Sequence, residues 1–134
     1  MVKRGVLKGV GLGLASVGVG HGVGFAYVKH VKKRLMAELR RKCEEECRGK
    51  EGEEFEKCVA ECMVRGEKEV YRRLDALCRR VFGVLAVSEF AGGGLLYYLG
   101  CRSGSVESED MYFTWALLMF LSGAIDGLMA LLFR

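Results

Sequence analysis

The sequence contains no proline, no asparagine and no glutamine, and only one threonine and one isoleucine among its 134 residues. Because proline breaks helices, its absence predicts long uninterrupted helices. The loss of both amides beside abundant Lys, Arg and Glu matches the composition of hyperthermophile proteins. Histidine is also scarce, with two residues, and the sequence shows no Ser–His–Asp set and no metal-ligand cluster. We therefore expect a non-enzymatic helical protein without a cofactor or a bound metal.

Apolar residues make up 51% of the chain and are concentrated in three long runs. The runs cover residues 9–28, 81–101 and 111–133, and each would be about 30 Å long as a helix, which matches the hydrocarbon core of a bilayer. Tyrosine and tryptophan lie near the ends of the runs, where aromatic side chains favour the lipid–water boundary. We expect a single all-α domain with three membrane-type helices. A soluble bundle with a very apolar core is the alternative.

Glycine is abundant, with 19 residues, and many of these lie four positions apart in the apolar runs. Small residues at this spacing let helices approach closely, and such contact drives helix association in lipid. Each glycine destabilises a helix by about 1 kcal/mol relative to alanine in water. The large number of glycines therefore predicts close packing within or between subunits. The glycines expected to pack are Gly5, Gly9 and Gly13; Gly18 and Gly22; Gly20 and Gly24; and Gly92, Gly93 and Gly94. The last three glycines are alternatively a hinge.

The polar residues 29–80 separate the first two apolar runs and carry 16 Lys/Arg and 12 Asp/Glu. Hydrophobic residues recur every three or four positions on both sides of a break at residues 48–52, which is the period of an amphipathic helix. The break contains two glycines, and these are a helix-stop signal. The segment therefore predicts an antiparallel helical hairpin whose second arm continues into the second apolar run.

Four cysteines form two Cys-x-x-x-Cys pairs in this hairpin, Cys43 with Cys47 and Cys58 with Cys62. Residues four apart share a helix face, so a hairpin folded at residues 49–52 brings Cys47 opposite Cys58 and Cys43 opposite Cys62. Two nested disulfides satisfy this arrangement. A structural zinc site and free thiols are the alternatives, since zinc also binds Cys pairs at this spacing. The segment resembles the twin Cys-x3-Cys hairpins of small mitochondrial intermembrane-space chaperones and coiled-coil-helix proteins, which supports the stapled geometry alone.

The remaining cysteines, Cys78 and Cys101, are 23 residues apart. As one straight helix this separation is about 34 Å, which excludes a bridge between them. They are either buried free thiols or sites of an intermolecular disulfide.

Charge and cysteine chemistry favour opposite orientations of the hairpin in a membrane. Its flanks are rich in Lys and Arg, whereas residues 102–110, which we predict to form a loop, are net negative. This difference favours a cytoplasmic hairpin. Disulfides favour an extracellular one, except in hyperthermophiles, whose cytoplasm retains them. Both orientations stay open.

Three ionisable residues interrupt the apolar runs: His21, Glu89 and Asp126. An ionisable group in lipid is costly unless it is paired or protonated, and by default it is a candidate for function. One hypothesis is hydrogen bonding between helices, such as Glu89 or Asp126 with His21 or Ser122. The other is an acid/base set for the movement of protons or ions.

In outline, three apolar helices over 9–28, 81–101 and 111–133 with basic polar connections resemble the pilins of archaeal DNA-import and conjugation systems. No diagnostic motif accompanies this resemblance, and the 52-residue hairpin exceeds the simplest version of that plan. The resemblance implies a structural subunit that associates with itself and with lipid and forms an extracellular filament whose lumen passes DNA. The alternatives are an integral membrane subunit of a larger complex, a viral envelope protein, and a small oligomeric proton or ion conductor.

Overall fold

The computed structural model describes residues 1–133, which form three long helices and no β-strand. Helix α1 spans Arg4–Glu46, α2 spans Glu53–Cys101 and α3 spans Val106–Leu132. Each contains a stretch that is long and apolar enough to cross a membrane. The predicted fold class is confirmed: all-α, with three membrane-type helices and a disulfide-stapled amphipathic hairpin.

The chain divides into two compact units. The apolar unit consists of Met1–Gly24 and Arg79–Arg134, and the hairpin unit consists of Phe25–Cys78. The boundaries of the hairpin unit in the sequence agree to within a few residues with those of the polar segment 29–80. Helices α1 and α2 each contribute to both units, because no proline or glycine pair interrupts them between the apolar and polar residues.

In the apolar unit, α1 and α3 run parallel, and α2 runs antiparallel to both. The α1 residue Gly5 lies next to Glu107, and Gly13 lies next to Leu118 further along α3. The three helices approach closely because the buried positions between them hold small side chains, including Ala86 and Ala116, which are 7% and 2% exposed.

Most large apolar side chains of the apolar unit point outward. Only 11%, 22% and 17% of the most apolar stretches of α1, α2 and α3 are buried within the chain. Leu14, Val87 and Leu121 are each more than half exposed. A protein in water would bury these side chains, so their exposure is compatible with a location in a membrane.

The connection between α2 and α3 is shorter than the loop predicted over residues 102–110. Ser105 is the N-cap of α3, and its hydroxyl accepts a hydrogen bond from the backbone N–H of Ser108. Glu107 and Glu109 lie in the first turn, where negative charge stabilises the helix dipole. Residues 106–110 are therefore helical rather than loop.

The hairpin unit turns at residues 47–52, between α1 and α2. Gly49 and Gly52 have φ values of +103° and +60°, a backbone region that glycine adopts without the steric cost of a side chain. The two arms are linked by Cys43–Cys62 and Cys47–Cys58, whose Cα atoms are 5.6 Å and 6.0 Å apart. The four cysteines therefore form the nested disulfides that the hairpin geometry predicted, rather than zinc ligands or free thiols. Val70 and Leu74 are buried in the hairpin unit. The side chain of Leu39 packs against Gly66, in the space that a Cβ would occupy.

Candidate functional site

An ionisable cluster lies between the three helices of the apolar unit, and each helix contributes one side chain to it. His21 comes from α1, Glu89 from α2 and Asp126 from α3, and one ligand atom of each lies within 4.8 Å of the others. We name these three residues the triad. Asp126 and Glu89 are 1% and 4% exposed, whereas the His21 side chain is 34% exposed. The triad is thus a buried acidic pair with a histidine at its edge.

The His21 ring is oriented by hydrogen bonds at both of its nitrogens. Nδ1 lies 2.9 Å from the carbonyl oxygen of Val17. A carbonyl oxygen only accepts, so Nδ1 carries a hydrogen and donates it. Nε2 lies 2.9 Å from Oδ1 of Asp126. The second nitrogen is therefore directed at the buried carboxyl group.

Glu89 is oriented from α3. The hydroxyl of Ser122 donates a hydrogen bond to Oε1 of Glu89 over 2.9 Å, and the same oxygen lies 3.9 Å from Nδ1 of His21. Two of the interhelical pairs that the sequence suggested, His21 with Asp126 and Ser122 with Glu89, are therefore present together.

Two carboxyl oxygens of the triad have no hydrogen-bond partner. Oε2 of Glu89 and Oδ2 of Asp126 are buried and unpaired among the described residues. Buried polar atoms are nearly always satisfied, because each unsatisfied one costs about 1–3 kcal/mol. The triad thus has more acceptor oxygens than donors, which is the arrangement that holds a proton or a cation.

Close helix packing brings the triad together. A Cβ on Gly123 would lie 3.3 Å from both the carbonyl oxygen of Ala86 and the Cβ of Glu89. The absence of a side chain at this position lets α3 approach α2 beside Glu89. Gly123 is followed after three residues by Asp126, so the same stretch of α3 provides both the close approach and a triad member.

The glycines predicted to pack fall into two groups. Those with neighbours from another helix within 4 Å are Gly5, Gly9 and Gly13 against α3; Gly20 and Gly24 against α2; and Gly92 and Gly93 of α2 against α3. Gly9 and Gly5 are the closest, since an added Cβ would collide with the α3 backbone. A Cβ on Gly18, Gly22 or Gly94 would meet nothing within 4 Å.

The unpartnered glycines of α1 are part of a longer exposed stripe. This open stripe consists of Gly11, Ala15, Gly18 and Gly22, all of which are exposed. A Cβ on Gly11 would also meet nothing within 4 Å. At 3.6 residues per turn the four residues share one face of α1, roughly opposite the face that carries Gly9 and Gly13. One side of α1 therefore packs within the chain, and the other side is equally suited to close packing but has no partner there.

Ion pairs hold the start of α1 against the start of α3. Lys8 contacts Glu107 over 2.5 Å, and Lys3 contacts Asp110 over 3.3 Å. The hydrogen bond and positive charge of Lys8 hold the pKa of the Glu107 carboxyl below its usual value. This ion pair is present at neutral pH and is lost as the pH falls through that lowered pKa.

Sequence reasoning missed three features of the site. It suggested pairs among His21, Glu89 and Asp126 but did not predict which of them form, because up to 105 residues lie between them. It did not single out Gly100 or Gly123, although both contact a neighbouring helix. For Gly123 the signal was present, since Gly123 and Gly127 are small residues four apart beside an ionisable residue.

Comparison with known proteins adds no relative: neither a protein-family model, nor a curated protein, nor a solved structure matches the chain.

Proposed function

We propose that this chain is a non-enzymatic membrane subunit that associates with copies of itself through the open stripe of α1. The observation that carries the proposal is the combination of three exposed glycines and one alanine on a single face of an apolar helix. The occupant that we assign to this face is the open stripe of a second copy.

A membrane affects large and small exposed residues differently. Lipid tails solvate large apolar side chains well, so the outward leucines and valines need no protein partner. Glycine in contrast weakens its own helix by about 1 kcal/mol relative to alanine and offers lipid little surface. Two flat stripes brought together gain close backbone contact, which is the main source of helix association in lipid. A stripe that faces its own copy across a twofold axis is self-complementary.

The finer form of the proposal is a pilin-like subunit of a helical filament used in DNA transfer. A twofold contact between stripes closes at a dimer, so in such a filament the dimers join through further contacts. The finer form is supported by the architecture of three apolar helices and by the basic character of the hairpin arms. Residues 29–42 carry seven Lys/Arg and one Glu, counted as Lys29, Lys32, Lys33, Arg34, Arg40, Arg41 and Lys42 against Glu38. Such a concentration of positive charge attracts the phosphate backbone of DNA.

The experiment compares the wild-type chain with a variant in which bulk is added to the stripe. We expect wild-type protein in lipid nanodiscs or detergent to have the mass of a dimer or larger assembly, and Gly18→Leu with Gly22→Leu to shift it to monomer. Val23→Leu is the matched control, because Val23 is 65% exposed on α1 but lies outside the stripe. Electron microscopy of the wild type tests the finer form: regular filaments support a pilin, and their absence from an assembled oligomer refutes it.

A second candidate function, conduction of protons or ions by an oligomer, is favoured by the triad. Three ionisable side chains from three helices meet in the apolar unit, with two unpaired carboxyl oxygens. Such groups in membranes often mark proton or ion pathways. Proton flux into liposomes that is lost in Glu89→Gln and Asp126→Asn supports this function. If the chain is instead a structural subunit of a larger complex or of a viral envelope, the wild-type protein is expected to produce no proton flux.

A further inference from the structure

We infer that the triad of His21, Glu89 and Asp126 is a binding site for a divalent transition-metal cation of the zinc type. This inference concerns a different part of the molecule from the open stripe and does not depend on self-association. Two independent observations carry it: the meeting of three metal-binding groups within 4.8 Å, and two buried carboxyl oxygens that have no partner.

The donor set fits such a cation. Imidazole nitrogen and carboxylate oxygen both bind Zn²⁺ at about 2.0–2.2 Å. Atoms that lie within 4.8 Å of one another reach that arrangement through small side-chain movements. The imidazole disfavours Mg²⁺ and Ca²⁺, which prefer oxygen ligands alone. Three protein ligands leave at least one coordination position for water or another ligand.

The surrounding hydrogen bonds are those of a prepared metal site. A histidine ligand usually donates its other ring N–H to a carbonyl or carboxylate, which fixes the nitrogen that faces the metal. Here Nδ1 donates to the carbonyl of Val17, and Nε2 faces Asp126. The hydroxyl of Ser122 likewise holds one oxygen of Glu89 and leaves the other unpaired. These outer contacts leave Nε2 of His21 beside Asp126 and one buried oxygen of Glu89 without a partner.

The charge of the triad is a second physical reason to expect a bound cation. Two ionised carboxylates beside a neutral imidazole carry a net charge of −2, which is strongly disfavoured in an apolar interior. One divalent cation neutralises the site and satisfies both unpaired oxygens. Binding displaces any proton shared between Nε2 of His21 and Oδ1 of Asp126, or held by Glu89, and that proton passes to solvent. Zinc affinity therefore increases as the pH rises, because fewer protons compete for the same atoms.

The test uses the full-length chain in detergent, stripped with a chelator and then dialysed against Zn²⁺. We expect about one bound Zn²⁺ per chain by elemental mass spectrometry, with no competition from millimolar Mg²⁺. His21→Ala, Glu89→Gln and Asp126→Asn are expected to lose stoichiometric binding. Ser122→Ala removes only an outer hydrogen bond and is expected to weaken binding about 10–100-fold.

His30→Ala is the matched control, because His30 is the other histidine of the chain and lies in the hairpin unit. It is expected to bind zinc like the wild type. Co²⁺ provides a readout that does not depend on stability: the wild-type complex is expected to absorb in the visible range, and the spectrum should change when His21 is removed. Circular dichroism identifies variants that fail to fold.

Three results would overturn the inference. One is wild-type protein that takes up no zinc above pH 7, which would leave the triad as a proton-binding or purely structural cluster. Another is binding that survives in His21→Ala but is lost in His30→Ala, which would show an adventitious ion only. The third is a Co²⁺ spectrum that is the same with and without His21.

Discussion

At the residue scale, the polar centre of the apolar unit depends on a few side chains whose roles differ by position. His21 and Asp126 are joined directly, and Ser122 orients Glu89. The sequence identified these residue types as possible partners, because ionisable groups in apolar helices need one another. It did not identify which pairs form, since that depends on the register of three helices and no local pattern encodes that register.

The free thiol of Cys78 provides a residue-scale prediction. Partial burial raises the pKa of this thiol, and the negative charge of Asp75 raises it further. The thiolate is the reactive form, so in a Cys101→Ser background we expect slow maleimide labelling of Cys78 at pH 7. Below the thiol pKa, the rate should rise about tenfold for each pH unit, as the thiolate population does. Labelling kinetics followed by mass spectrometry measure this directly.

The charge effect in this prediction has its own control. Asp75→Asn removes the repulsion between this carboxylate and the Cys78 thiolate and is expected to speed labelling at a fixed pH. Glu67→Gln, about three turns before Cys78 on α2, is expected to leave the rate unchanged. Equal rates in the wild type and Asp75→Asn would show that burial alone protects the thiol.

At the scale of elements, the sequence predicted most of the helices and their limits. The absence of proline predicted long helices, and α1 and α2 continue through both units. The glycines of the break predicted the turn, where both adopt positive φ. The start of α3 was missed because Glu107, Glu109 and Asp110 were assigned to a loop. Ser105 followed by an acidic first turn is a helix-start signal.

The hairpin unit is expected to depend on its disulfides more than on its packing. Its core contains few large apolar side chains, chiefly Val70 and Leu74. A disulfide that closes a loop of this size stabilises a fold by about 2–4 kcal/mol. We therefore expect reduction to remove hydrogen-exchange protection from residues 53–64 and to leave protection of α3 unchanged.

Alkylation without reduction is the accompanying control. The structure has two free cysteines, Cys78 and Cys101, so two thiols are expected to react before reduction and six after it. Reaction of all six in the native protein, or unchanged exchange in the hairpin after reduction, would show that the disulfides do not hold the arms.

At the scale of the whole molecule, the distribution of apolar residues is compatible with a location in a membrane. Small residues lie between the helices of the apolar unit, and large ones face outward. The sequence predicted the ridges of glycine. It could not separate the ridge that packs within the chain, Gly5 to Gly13, from the unpartnered Gly18 and Gly22, because both have the same spacing.

Cysteine cross-linking in membranes tests the self-association of α1 most directly. In a background with Cys78→Ser and Cys101→Ser, one cysteine is introduced at Ala15 on the open stripe or, as the control, at Val23 outside it. If two stripes pack against each other, an oxidant converts Ala15→Cys to a covalent dimer rapidly and Val23→Cys slowly, and adding Gly18→Leu abolishes the difference. Equal rates at the two positions, or no dimer from Ala15→Cys, would contradict the proposal that this face binds a second copy of the chain.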